Sequence, residues 1–374
     1  MQNKTLMNAL LALGCLGILG GIYSVYEFLV MGLEPTALGS SVTWGARKVA
    51  YIYFLGLSGG SLLIALLTVV MRKKQFEAFS GVAAWAVLAA EMSATIAVTM
   101  ELGRWEHIYH FVLSPNLESP MAWVFIFLMC LIVVYGLKIL ALSRGQSARA
   151  HILTLWSIPV SLLFYASNGY IFGMLTAQPL WGGAFTPLWF VLAALVSGGG
   201  LVGILGWAAG FNDELMQDYG RILVSLIVAF VFFEAFYLIY AAQGGDAETA
   251  QALNTLLWGS GSLVFWLGHA ALGIALPLVI LAGAKTASRV GVGALVLTLT
   301  FSAARWFFLI PVQSVEPIPG LTAAFHHSRL DYVYSASSSE WLAVLFLFSL
   351  CLVTLLMGPR IVPALFSKQG ERHV

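Results

Sequence analysis

Hydrophobic positions along this chain form ten long runs, which short polar connections separate. Each run is close to the roughly 20 apolar residues that cross a hydrocarbon core of about 30 Å. Hydropathy therefore predicts ten transmembrane helices, at about 6–31, 49–71, 80–102, 120–142, 152–174, 185–208, 221–242, 257–282, 290–311 and 340–358. We expect an all-α integral membrane protein with one polytopic membrane domain over residues 1–374. The ninth span is the weakest prediction, because it contains Arg305 and ends at Pro311.

Composition supports lipid as the solvent of this protein. Hydrophobic residues make up 60% of it and charged residues 9%, against about 25% charged residues in soluble domains. The net charge of +1 gives no reason to expect a nucleic-acid partner. Cys15, Cys130 and Cys351 each lie alone in an apolar run, so no iron–sulfur cluster or metal site is expected. His269 is the only histidine deep in a span, so paired haem ligands are not expected either.

Basic residues predict the orientation of the helices. Ten spans divide the connections into two alternating sets, and one set with its helix ends holds thirteen Lys and Arg residues: Lys4, Arg72, Lys73, Lys74, Lys138, Arg144, Arg149, Arg221, Lys285, Arg289, Arg360, Lys368 and Arg372. The other set holds four: Arg47, Lys48, Arg104 and Arg329. The positive-inside rule places the richer set, with both termini, in the cytoplasm. We expect the first span to be retained as a signal anchor, since no small-residue cleavage site follows it.

Two similar glycine-rich strings suggest an internal repeat. Leu57-Ser58-Gly59-Gly60-Ser61 lies in span two, and Val196-Ser197-Gly198-Gly199-Gly200 lies in span six. Both spans run inward, so the prediction is a parallel repeat of four-helix bundles: spans 2–5 (about 49–174) and 6–9 (about 185–311), flanked by spans 1 and 10. The alternative is that both strings are common packing surfaces of membrane helices without a shared origin.

Ionisable side chains at membrane depth are costly and therefore mark functional candidates. Glu91 lies in mid-span three, Glu234 near the middle of span seven, His269 in mid-span eight and Arg305 in span nine. Together they are candidates for a proton pathway. The alternative for the glutamates is a static buried pair, for instance with Arg305. For His269 we favour a structural role, such as donation to a backbone carbonyl.

The outer ends of spans one and three carry a second polar group. Tyr23, Tyr26 and Glu27 share one helix face, by their i, i+3, i+4 spacing. Three-residue intervals separate the members of a further set, which are neighbours if the third helix continues outward: Glu101, Arg104, His107 and His110. A quinone site needs an apolar slot, donors for two ring oxygens and a proton acceptor that reaches water. An interfacial belt of anchoring residues is the alternative explanation.

Several ordered motifs resemble the membrane-subunit family of NrfD and polysulfide reductase. Glu101-Leu102-Gly103-Arg104, Ser114-Pro115-Asn116 and Ser119-Pro120-Met121-Ala122-Trp123 are similar to that family's "(D/E)LGR … NP … SPMSWG" signature. Thr43-Trp44-Gly45 and Gly56-Leu57-Ser58-Gly59-Gly60 resemble its "WG … GLSAG" segment. The sequence departs from the pattern at Trp105, where proline is common, and in the order Pro115-Asn116.

This resemblance implies the quinone-reactive subunit of a respiratory oxidoreductase complex in a bacterial inner membrane, acting on menaquinol or ubiquinol. It implies a four-cluster ferredoxin-like iron–sulfur partner, joined to a molybdopterin enzyme or a multihaem cytochrome c. It also implies a quinone pocket near the outer face. Glu101 and Arg104 match family letters, and depth and spacing add the other candidates: Tyr23, Tyr26, Glu27, His107, His110 and Trp123.

Two other functions remain open from the sequence. A transporter of ions or small solutes also shows parallel repeats and mid-membrane acids, and it is expected to break its helices at mid-depth. A passive membrane anchor needs no quinone site. Because the sequence predicts no redox centre in this protein, a quinone function requires a partner that accepts or supplies electrons.

Overall fold

Ten long apolar helices form the body of the protein. The computed structural model describes residues 4–316, 320, 324, 325, 327 and 330–366. Within them the spans are α1 (Lys4–Met31), α2 (Ala46–Val70), α3 (Lys74–Thr99), α4 (Pro120–Ser143), α5 (Ser147–Gly173), α6 (Phe185–Ala208), α7 (Asp213–Gly244), α8 (Leu263–Leu281), α9 (Ala287–Gln313) and α10 (Ser338–Ile361). The predicted all-α class and the ten spans are confirmed, including the ninth. A short helix, Ala247–Leu257, links α7 to α8.

Helices α2 and α6 form the centre of the bundle. Within their apolar windows 83% and 78% of the residues are buried, whereas α1 buries 17% and presents most of its surface outward. The two glycine-rich strings meet where α2 crosses α6: a methyl group on Gly198 would overlap the backbone of Gly60, and one on Gly59 would overlap the carbonyl of Ala194. Small residues therefore allow backbone contact between the two central helices. The strings act as a packing surface, and the four-helix repeat stays a prediction.

Helix α1 lies against α10 through a stripe of glycines. Gly14, Gly17 and Gly21 face Val353, Ser349 and the Leu342 carbonyl of α10. At the outer end of the same contact, Phe28 packs on Met100, which follows α3. This packing fixes the outer end of α1 beside the outer ends of α3 and α10.

The motif Thr43-Trp44-Gly45 joins the start of α2 to the end of α9. The Gln313 amide oxygen accepts from the backbone N–H groups of Thr43 and Trp44, both at 3.1 Å, and the amide donates to the Trp44 carbonyl at 2.9 Å. Gly45 has no room for a side chain, because a Cβ there would overlap the carboxylate of Glu340 and the hydroxyl of Tyr334. The motif thus anchors the outer end of α2 against two distant segments.

Helix α3 ends at Thr99, and the backbone then turns. The N–H groups of Met100 and Glu101 still bond to Ile96 and Val98, and a short 3₁₀ turn follows at Trp105–His107. Glu101, Arg104, His107 and His110 therefore do not follow one continuous helix. Three basic residues used for orientation, Arg329, Lys368 and Arg372, lie outside the described residues, and the orientation stays a prediction.

Candidate functional site

A cluster of charged side chains lies where the outer ends of α1, α2, α3 and α10 meet. Arg47 is fully buried, and its guanidinium donates to the Ser339 hydroxyl at 2.9 Å and to the Met100 carbonyl at 3.4 Å. The carboxylates of Glu101 and Glu27 both act electrostatically on Arg47. The structure thus brings these two predicted quinone-site residues, from α1 and from the turn after α3, to one cation.

Several polar atoms of this cluster are buried without a hydrogen-bond partner. They are Glu27 Oε2, Glu101 Oε1 and Arg47 Nε. An unmet donor or acceptor costs free energy of about 1–3 kcal/mol, so such atoms are uncommon in folded proteins unless a ligand or water completes them. Two acceptors beside one cation suit a ligand that carries both hydroxyl and carbonyl oxygens.

The neighbouring Glu340 differs, because both its oxygens accept hydrogen bonds. Its Oε1 accepts from the Tyr334 hydroxyl at 2.5 Å, and its Oε2 accepts from the N–H groups of Ala37 and Ser337, both at 3.0 Å. With Ser337 it forms a capping box at the start of α10. Glu340 therefore has a structural role and leaves the open acceptors to Glu27 and Glu101.

The environment of Glu101 favours its neutral form near physiological pH. Burial raises the pKa of the Glu101 carboxyl to about 7, while the positive charges of Lys48 and Arg47 act in the opposite direction. A carboxyl group with a pKa near the working pH takes up and releases protons readily. Glu101 therefore has the position and the proton affinity of a general base.

The other predicted quinone residues lie at the protein surface around this cluster. Tyr23 and Tyr26 are exposed on α1, with their ring centroids 6.3 Å apart. Exposed positions in the segment that follows α3 hold Arg104, His107 and His110, and Trp123 is exposed on α4. The two histidine rings lie 5.6 Å apart. These residues surround the buried carboxylates, whereas Glu27 and Glu101 alone reach inward.

A second polar group crosses the core of the first half of the protein. Glu91 accepts a hydrogen bond of 2.6 Å from Ser58, whose hydroxyl also lies 2.7 Å from that of Tyr165. Tyr51, further out along α2, donates to the Asn168 amide oxygen. Glu91 is therefore part of a hydrogen-bonded group that spans α2, α3 and α5.

The matching group in the second half pairs Glu234 with His269. Nε2 of His269 lies 2.6 Å from Glu234 Oε2, and Trp189 Nε1 donates to Oε1 at 3.3 Å. The suggested backbone carbonyl is not the partner of this ring nitrogen, since the glutamate supplies the acceptor. His269 lies on π-helical turns, Leu263–Ala275, a geometry frequent at functional sites.

Arg305 does not pair with either mid-membrane glutamate. Its guanidinium nitrogens have no hydrogen-bond partner among the described residues, and its central carbon lies 4.9 Å from the ring centroid of Trp189. Gly56 provides the space, since a Cβ there would overlap the guanidinium. The alternative of a static Glu–Arg305 pair therefore has no counterpart in the described residues, and aromatic rings stabilise this cation.

Sequence reasoning missed some members of both groups. Arg47 and Lys48 were predicted in the loop before span two, but α2 begins at Ala46 and both side chains are buried. Lys138, counted as a cytoplasmic helix end, is fully buried and lies 5.6 Å from the ring centroid of Tyr135. A signal was present for the first pair, because Arg47 and Lys48 follow the Thr43-Trp44-Gly45 motif directly.

Among the described residues no group of three His, Cys, Asp or Glu side chains is placed to hold a metal ion. The chemistry that the outer cluster offers is proton transfer and hydrogen bonding by carboxylates, a guanidinium and nearby aromatic residues. A quinol presents two hydroxyl groups on an apolar ring, and the open acceptors of Glu27 and Glu101 fit such donors.

Comparison with known proteins agrees with this picture of a polytopic membrane subunit. Residues 35–317 match the family described as Polysulphide reductase, NrfD. The protein belongs to this family of membrane subunits, and the resemblance seen in the sequence motifs is confirmed.

Two named relatives match nearly the whole length of the protein, and a third matches part of it. The sequence is 27% identical to a membrane-subunit relative from the selenate reductase of Mesobacillus selenatarsenatis, over 94% of this protein and 93% of that one. It is 26% identical to the Hdr-like menaquinol oxidoreductase integral membrane subunit of Archaeoglobus fulgidus, over 95% of this protein and 91% of that one. One of the polysulfide reductase polypeptides of Wolinella succinogenes is 24% identical, over 64% and 83%.

Proposed function

We propose that this protein is the quinone-reactive membrane subunit of a respiratory oxidoreductase, and that it exchanges electrons between the membrane quinone pool and an iron–sulfur partner on the outer face. The observation that carries the proposal is the pair of buried, unpartnered carboxylate oxygens of Glu27 and Glu101 beside Arg47. Family membership and the printed names of the relatives support it.

The proposed site accepts a quinol that enters from the lipid between helix ends in the outer leaflet. Tyr23 and Tyr26 offer an exposed aromatic face on α1 along which the ring can approach. Arg104, with a tyrosine or with His107 or His110, holds ring oxygens at the surface, and Trp123 closes the rim. Glu101 or Glu27 accepts the hydroxyl protons.

Electrons leave the site to a partner, because the sequence of this protein supplies neither a cluster of thiolates nor paired haem ligands. We propose a four-cluster ferredoxin-like subunit, joined to a molybdopterin enzyme or a multihaem cytochrome c. Reversal of the direction, with quinone reduced, uses the same residues and returns the protons. The protein lies in a bacterial inner membrane with both termini in the cytoplasm, as the distribution of basic residues favours.

A transporter or a passive anchor is separated from this proposal by purification and assay. We expect the protein, purified with its neighbours from native membranes, to carry bound menaquinone or ubiquinone and to co-purify with an iron–sulfur protein that quinol reduces. An isolated protein that holds no quinone and moves a solute across liposomes would contradict the proposal. The helical continuity of α2 and α6 through their Ser-Gly-Gly strings also argues against the broken helices of transporters.

We also propose that the mid-membrane groups form a proton pathway from this site towards the inner face, with members Glu91, Glu234, His269 and Arg305. The supporting contacts are Glu91–Ser58–Tyr165 and Glu234–His269. Carboxyl groups that share hydrogen bonds with hydroxyl or imidazole groups pass protons by exchange of donor and acceptor. A route of this kind makes each turnover move charge across the membrane.

For the pathway, we expect Glu91→Gln or Glu234→Gln to abolish the membrane potential that turnover generates in proteoliposomes. Quinol oxidation should persist when an uncoupler is present, because the outer site is unchanged. Glu77→Gln, an exposed acid at the start of α3, is the matched control and should leave the potential unaltered. A normal potential in both core variants, read with a voltage-sensitive dye, would rule out this route.

A further inference from the structure

A groove lies between α4 and α5, at the end of the hairpin that the distribution of basic residues assigns to the cytoplasm. It has a volume of about 300 Å³. Its walls are apolar, formed by Leu137 and Leu140 of α4 and Ile152 of α5, and its mouth holds Arg144, Gln146 and Arg149. An apolar trough that ends in cations at the membrane boundary has the layout of an amphiphile site.

The two arginines of this groove have no acidic partner. Between Glu118 and Asp213 the sequence contains no aspartate or glutamate. In the part of the protein that the structure describes, neither Arg144 nor Arg149 forms an ion pair, and Arg149 donates to the neutral side chain of Gln146, at 3.1 Å. Both guanidinium groups therefore remain available to an anion from outside the protein.

The start of α5 adds a third attraction for an anion. Gln146 is the N-cap residue, and its side chain makes no capping hydrogen bond. The first backbone N–H groups of this 27-residue helix are therefore left without a side-chain acceptor at the cap. Such groups carry partial positive charge and bind phosphate oxygens.

We propose that this groove binds an anionic phospholipid. Its phosphate contacts Arg144, Arg149 and the first turn of α5, and an acyl tail follows Leu137, Leu140 and Ile152 into the bilayer. The commitment to a lipid, over free phosphate, comes from the apolar walls: they continue from the cations into the membrane and offer nothing to a small hydrophilic ion. The site is separate from the outer cluster, and this proposal does not depend on the proposed function.

The test measures phosphatidylglycerol bound to the delipidated full-length protein, by native mass spectrometry in detergent. Two surface arginine contacts account for roughly a 10- to 30-fold difference in affinity. We therefore expect Arg144→Gln/Arg149→Gln to weaken binding by about that factor and to leave phosphatidylcholine unaffected. Arg72→Gln/Lys74→Gln removes two basic residues from another inner loop, and should change binding less than about 2-fold.

A second variant addresses the groove itself, without any change of charge. Leu140 is exposed in the groove wall, so Leu140→Trp fills the trough while the fold is kept, and phosphatidylglycerol binding should again weaken. Equal weakening in the groove-arginine variant and the control charge variant would overturn the proposal, since it would indicate non-specific attraction. Full displacement of the lipid by inorganic phosphate would do so as well, since it would identify a simple anion site.

Discussion

Glu101→Gln should lower the rate of quinol oxidation by about 100-fold or more, while the complex still assembles. Positioned general bases contribute typically about 10²- to 10⁴-fold to a rate, and the amide keeps the size of the side chain but does not accept the proton. The buried Oε1 of Glu101 has no partner to satisfy, so little of the fold depends on its charge. The measurement is quinol oxidation by the purified complex with an artificial electron acceptor.

The matched control is Glu106→Gln, which removes the same charge from an exposed position in the segment that follows α3. It should keep nearly the full rate. Equal rates in the Glu101→Gln variant and the unmodified complex would remove Glu101 from the site. An equal loss in both variants would point to surface charge instead of a general base.

The same assay carries a pH dependence with a defined sign. Because burial raises the pKa of Glu101 to about 7, the proton-accepting carboxylate is scarce below that pH and dominant above it. The groups that face it are Arg47 and Lys48 on α2, Glu340 on α10 and Glu27 on α1. Quinol oxidation should therefore rise as the pH increases through about 7, and Glu101→Gln should remove this rise.

Gly198→Ala should destabilise the protein by about 1–3 kcal/mol, because the added methyl group overlaps backbone atoms of Gly59 and Gly60 that have no rotamer to change. The α2–α6 crossing holds the two most buried helices among the spans, so the strain acts at the centre of the bundle. The measurement is the midpoint of thermal unfolding of the purified protein in detergent.

Gly136→Ala on α4 is the matched control, because a Cβ at Gly136 meets no atom within 4 Å. Alanine is favoured over glycine in a helix by about 1 kcal/mol, so this variant should unfold at the same or a higher temperature. The two substitutions thus have opposite expected signs. A Gly198→Ala protein as stable as the unmodified one would mean that α2 and α6 are not in backbone contact.

Hydropathy was sufficient to predict the helices of this protein. Lipid requires every backbone group to bond within its own segment, so each long apolar run becomes a helix whatever its neighbours are. Even the run with Arg305 follows this rule, since Gly56 and the ring of Trp189 accommodate the guanidinium. The helix boundaries were less predictable: α2 extends outward to Ala46 and buries Arg47 and Lys48, which hydropathy assigned to a loop.

The candidate site was only partly predictable. Glu27 and Glu101 were found from depth and motif, but their common cation, Arg47, depends on how α1, α3 and α10 converge, which a linear pattern does not encode. The pairing of Glu234 with His269 likewise required the relative rotation of α7 and α8. Spacing along a helix identifies residues that share a face, whereas contacts between helices follow from packing.

The most direct test of the central claim, a quinone site at the outer ends of α1 and α3, is photolabelling of the native complex with an azidoquinone. Mass spectrometry of the digested protein should find the label in peptides that cover residues 23–31 and 100–110, and excess unlabelled quinone should suppress it. Label confined to other helices, or label that unlabelled quinone does not displace, would contradict a site formed by Glu27, Glu101 and Arg47.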